Sequence, residues 1–86
     1  MKFQGAVVRE QGVTFGIIVV KSYVLNNPRE RENAIHFGTQ AFGPMPIILM
    51  AQDSDGTPTY YGRKDIANFL SNTLIDQIPW KEFTTN

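Results

Sequence analysis

An α+β domain with a mixed four-stranded sheet and two helices, in the order ββαββα, is the fold this sequence predicts. Two observations carry the prediction. Residues 15–20 (FGIIVV) and 46–51 (PIILMA) are apolar runs without alternation, so each reads as a strand that wants cover on both faces. Each is followed, directly or after a hairpin, by a segment of helical pattern.

Residues 3–9 (FQGAVVR) are β-rich and break at Glu10-Gln11-Gly12, where Gly12 suits the positive φ of a tight turn. Residues 13–24 follow, crowded with β-branched and aromatic side chains, and complete a hairpin. Gly5 and Gly16 inside these strands mark a bulge or a close backbone approach, and a bulge is the expectation at each. Asn26-Asn27-Pro28 is a helix entry: Asn27 can accept from first-turn amides, Pro28 suits the first helical position, and Glu30 complements the dipole. Ala34, Ile35, Phe37, Ala41 and Phe42 give that helix an apolar stripe, and Gly43-Pro44 ends it. Gly38 weakens its interior by up to ~1 kcal/mol relative to alanine.

The second unit repeats the plan without repeating the residues. Residues 46–52 form a strand, Asp53-Ser54-Asp55-Gly56 a hairpin turn, and residues 57–61 the returning strand. Pro58 lacks a ladder donor and places that strand at an edge. Residues 63–74 read as an amphipathic helix with Ile66, Phe69, Leu70 and Leu74 on one face. The tail is irregular, with Ile78, Trp80 and Phe83 packing back onto the body. The intervening helix is long enough for a crossover that lays the second and third strands parallel.

Residues 46–70 (PIILMAQDSDGTPTYYGRKDIANFL) resemble the closing strand, hairpin and helix of thioredoxin-fold proteins, in which a proline, often cis, opens the strand. The family's redox motif is two cysteines two residues apart, and this chain has no cysteine, so the resemblance implies shape and no activity.

Eighty-six residues make one small domain, which buries only about 60–65% of its unfolded surface. Without cysteine there are no disulfides, thiolate metal sites or thiol chemistry within the chain, and oligomerisation is the expected aid to stability. Eight basic and eight acidic side chains cancel, which argues against nucleic acid as the partner. The first residues lack a signal-peptide core and FGIIVV falls far below the ~20 apolar residues of a membrane span. A soluble cytoplasmic protein without a cofactor is expected.

Asp53, Asp55 and Gly56 begin like a calcium loop, but Lys64 occupies the twelfth position where an acidic ligand belongs. Turn chemistry accounts for the aspartates. His36 is the single histidine, too few for zinc, and Glu32 one turn earlier is the carboxylate with which it would act as a base. A solvated helix histidine is the simpler account. Arg29-Glu30-Arg31-Glu32 reads as a solvated face held by local pairs. No G-x-S-x-G, P-loop or G-x-G-x-x-G motif occurs, so the sequence leans away from an enzyme.

Tyr60, Tyr61, Arg63 and Lys64 are the candidate ligand-binding residues. Two aromatic faces lead into two cations at a helix start, a combination suited to an anion or a stacked base. Lys21 and Tyr23 would extend such a site for a nucleotide or single strand. The leading expectation is instead a non-catalytic interaction module. If both helices lay on one face, the exposed backs of FGIIVV and PIILMA would pair in a sheet-to-sheet homodimer or meet another protein, with Met45 and Met50 as adaptable packers.

Overall fold

A computed structural model describes residues 1–85. β1 (Lys2–Glu10) and β2 (Val13–Val19) pair antiparallel in one unbroken register, from Gly5 opposite Ile18 to Glu10 opposite Val13. Gln11 and Gly12 join them with φ of 52° and 80°, the doubly left-handed turn whose twist matches that of the strands. The unbroken register corrects the expectation of bulges at Gly5 and Gly16. Both glycines serve close approach instead: a Cβ on Gly16 would lie 2.5 Å from the Phe42 ring, and one on Gly5 would collide with the Ile17 carbonyl oxygen.

β2 ends at Val19, earlier than the sequence suggests, and a single turn of helix, α1 (Ser22–Leu25), follows and buries Val24. α2 (Pro28–Phe42) starts as its residues dictate. The Asn27 carboxamide oxygen accepts from the amides of Arg29 and Glu30 at 3.0 and 3.2 Å, and Pro28 occupies the first turn. Gly43, with φ of 94°, closes the helix by donating to the Thr39 carbonyl. Gly38 lets the helix settle on the sheet, since a Cβ there would stand 2.7 Å from Ile47 Cγ2 and 2.8 Å from Ile18 Cδ1. A residue that weakens the helix locally is what brings it against its neighbours.

β3 (Ile47–Gln52) lies parallel to β2, as the crossover requires. β4 (Pro58–Tyr61) returns antiparallel at the edge, with Pro58 where no donor is needed. α3 (Lys64–Ser71) is shorter than its apolar pattern, because the Asn72 and Thr73 amides bond back three residues to Phe69 and Leu70 and tighten the last turn. Leu74, expected on the core face, is therefore carried outward and is 70% exposed. A 3-10 turn (Ile75–Gln77) leads to Trp80, whose indole donates to the Ile75 carbonyl at 2.9 Å.

The tail does not stay irregular. β5 (Lys81–Thr84) pairs antiparallel with β1, giving the order β4-β3-β2-β1-β5. The sheet has five strands where four were expected, and three helices stand where two were expected. The cause of the fifth strand is tertiary: β1 would otherwise expose a full edge, and Phe83 finds Phe3 and Phe42 beside it, with centroids 5.4 and 4.9 Å away. Pro46 opens its strand through a trans peptide, so the cis proline associated with the thioredoxin-like resemblance is not found here.

The helices straddle the sheet. Ile17, Ile48 and Met50 pack with Ile66 and Leu70 of α3 on one face. Ile18, Ile47 and Leu49 pack under α1 and α2 on the other, with Phe37 and Phe42. Both apolar runs are thus covered twice by the chain itself.

The β3–β4 turn bears out the aspartate reading. Asp53 Oδ1 accepts from the amides of Asp55 and Thr57, and Asp55 Oδ1 also accepts from the Thr57 amide. Hydrogen bonding to the Asp53 side chain first, then to Thr57, lowers the Asp55 pKa from 3.8 to about 2. A carboxyl depressed by folding contributes stability above its unfolded value and loses it as pH falls through the folded one. The turn is expected to loosen between about pH 4 and pH 2. An Asp55 carboxyl resonance titrating near its ordinary value in NMR would refute this.

Candidate functional site

The four residues of the Tyr60–Lys64 corner do not converge on one surface. Strand alternation sends the two tyrosines to opposite faces. Tyr60 packs against the α3-side core, where burial raises its phenol pKa and leaves its hydroxyl without a partner. Tyr61 faces the α2 side, and the Arg31 guanidinium lies 4.6 Å from its ring centroid. The same Arg31 donates to the Leu25 carbonyl at 2.9 Å. This corrects the reading of residues 29–32 as a wholly solvated run. Arg31 turns inward, attracted by an aromatic face and an orphan carbonyl.

Arg63 binds Asp65 through two parallel bonds of 2.8 Å each. Those bonds raise the pKa of Arg63 and lower that of Asp65. The pair occupies the guanidinium fork that an incoming phosphate would need. Lys64 is the one cation of the corner without an ion pair among the described residues. His36 sits on the exposed outer side of α2. Among the described residues no group of three or more His, Asp or Glu side chains is placed to hold a metal.

The surface with shape lies elsewhere, between α3 and the tip of the β1–β2 hairpin. A depression of about 490 Å³ opens there over Val13, Phe15, Ile66 and Phe69. A second, of about 360 Å³, continues it toward Gln77 and Pro79, and the two share Glu10, Phe69, Asn72 and Thr73. Together they form an open groove along α3. Ile66 and Leu70, one turn apart, face the core, which leaves Phe69 at the margin of the helix, 38% exposed. The rim is polar. Asn72 places one amide hydrogen on the Asn68 carbonyl and keeps the other, while Thr73 spends its hydroxyl hydrogen on the Phe69 carbonyl, so the rim offers two acceptor oxygens and one amide donor. Glu10 points to this face and has no ion pair among the described residues.

In the sequence pattern Phe69 shares a helix face with Ile66, Leu70 and Leu74, and Glu10 falls at a turn. The signal that would have found the groove is width: Ile66, Phe69, Leu70 and Leu74 span more of a helix than one sheet contact buries.

No protein-family model, curated protein or solved structure matches the chain. Among the described residues, no helix is long and apolar enough to cross a membrane.

Proposed function

We propose that this chain is a small non-catalytic interaction module that receives a short segment of a partner protein in the α3 groove. The observation that carries the reading is Phe69, a large aromatic left 38% exposed on the wall common to both depressions. Around it stand an apolar floor, an unpaired carboxylate at Glu10 and the side chains of Asn72 and Thr73, which keep an acceptor oxygen each. That chemistry favours a segment with an aliphatic or aromatic anchor beside a lysine or arginine. A cytoplasmic setting belongs to the same proposal and accords with the absence of cysteine.

A sheet-to-sheet homodimer loses its motive, since α2 covers one face of the sheet and α3 the other. A nucleotide or single-strand site at the Tyr60–Lys64 corner gains no support from a geometry that separates the tyrosines and pairs Arg63 with Asp65.

Selection from a random library of displayed peptides tests the reading. Enriched sequences are expected to carry the anchor-plus-cation pattern and to shift the NMR signals of Val13, Phe69 and Thr73. Phe69→Asp is expected to reduce their affinity at least tenfold while leaving the folded spectrum intact. No enrichment, or peptides that bind Phe69→Asp as well as the original chain, would sink the proposal.

A further inference from the structure

The two edges of the sheet are unlike, and the difference points to a partner. At the β4 edge Pro58 has no donor to offer. At the β5 edge the pairing with β1 fixes which groups are free. Met1 and Thr85 exchange both backbone bonds, at 2.9 Å from the Met1 amine to the Thr85 carbonyl and 2.8 Å in return. Bonded and non-bonded pairs alternate in an antiparallel ladder, so Phe83 opposite Phe3 and Lys81 opposite Gly5 are bonded pairs. Glu82 and Thr84 therefore turn their N–H and C=O groups away from β1, to the open side. This edge carries no proline, and its register with β1 is regular from Lys81 to Thr84.

We propose that β5 pairs with β5 of a second copy of this chain, in an antiparallel seam with Phe83 on the two-fold axis. Symmetry restricts the register. A two-fold axis perpendicular to the sheet keeps like faces together, so the axis must pass through a residue pair of one kind. Centred on Glu82 it would set two carboxylates directly opposite each other, which is unfavourable. Centred on Phe83 it sets Phe83 against its copy and Glu82 against the copy's Thr84, whose hydroxyl can donate to the carboxylate. The outward groups of Glu82 and Thr84 then satisfy one another across the seam. Lys81, already 5.0 Å from the centroid of its own Phe83 ring, lies diagonal to the second ring on the same face. The Phe3–Phe42–Phe83 clusters of two copies become continuous across a ten-stranded sheet. Four residues make a short seam, so the association is weak and concentration-dependent. It uses no residue of the α3 groove, and the two readings stand or fall separately.

Backbone amide exchange by NMR, run at low and high protein concentration with light scattering on the same samples, tests the seam. The Lys81 and Phe83 amides are expected to be protected at both concentrations. Those of Glu82 and Thr84 are expected to exchange freely when dilute and to slow at least fivefold as the mass rises toward that of a dimer. Thr84→Pro removes an outward donor without touching the ladder to β1, and is expected to hold the chain monomeric. If that variant folds poorly, Thr84→Glu sets a carboxylate against the copy's Glu82 across the seam while facing Lys2 within its own ladder, and is expected to do the same. A chain that stays monomeric throughout, or a dimer in which Glu82 and Thr84 stay unprotected and which both variants leave intact, would overturn the proposal.

Discussion

Gly5→Ala is expected to destabilise the domain by about 3 kcal/mol, the upper end of what forced overpacking costs. The added methyl would run into the carbonyl oxygen of Ile17 on the neighbouring strand and reach within 3.5 Å of the Phe42 ring. The first of these is backbone in the middle of the sheet. It cannot yield without disturbing Ile17, which is fully buried in the opposite core. For a chain of this size, with total stability on the order of 4–13 kcal/mol, such a loss is a large share. Gly12→Asn supplies the contrast: nothing lies within 4 Å of that position, and its φ of 80° is one asparagine tolerates. Its cost is expected to stay within about 1 kcal/mol. Urea denaturation checks both, and a Gly5→Ala midpoint no lower than that of Gly12→Asn would contradict the close-approach account.

Phe15→Ala is expected to cost about 4 kcal/mol, within the range for removing a buried phenylalanine. Phe15 is 1% exposed, packed with Ile17, Ile66 and Leu70, and it also forms the floor of the groove beside Phe69. The truncation leaves a hollow in the cluster that Phe15 shares with Ile66 and Leu70 of α3. Phe15→Leu keeps most of the volume and is expected to lose roughly 1–2 kcal/mol. The midpoint should fall with the denaturant slope unchanged, as it does when stability alone is altered. Equal losses for leucine and alanine would show that packing volume is not what the ring supplies.

Much of the architecture was legible because it is local. Asn27, Pro28 and Gly43 write the ends of α2, Gln11-Gly12 and the aspartates write the turns, and Pro58 writes an edge. Continuous apolar runs implied strands covered twice, and the straddling helices supply that cover. What was missed depends on partners remote in sequence. Residues 81–84 (KEFT) carry no strand signal of their own and become β5 only because β1 waits with an open edge eighty residues earlier. Gly5 and Gly16 announce an exception in a strand, but only the position of Phe42 tells close approach from a bulge. The candidate corner looked promising in one dimension because adjacent letters in a strand lie on opposite faces in three. Phe69 was hidden the other way, as one apolar letter among four, until the helix stopped at Ser71 and its margin came into view.

The sheet divides the interior into two cores with separate membership: no residue of the cluster beneath α3 belongs to the one beneath α1 and α2. Side-chain losses on opposite faces, where they share no partners, are therefore expected to sum within a few tenths of a kcal/mol. In evolutionary terms the two halves of the interior are free to drift independently, so the cover around the α3 groove can be remodelled while the face that anchors the long helix is left as it was.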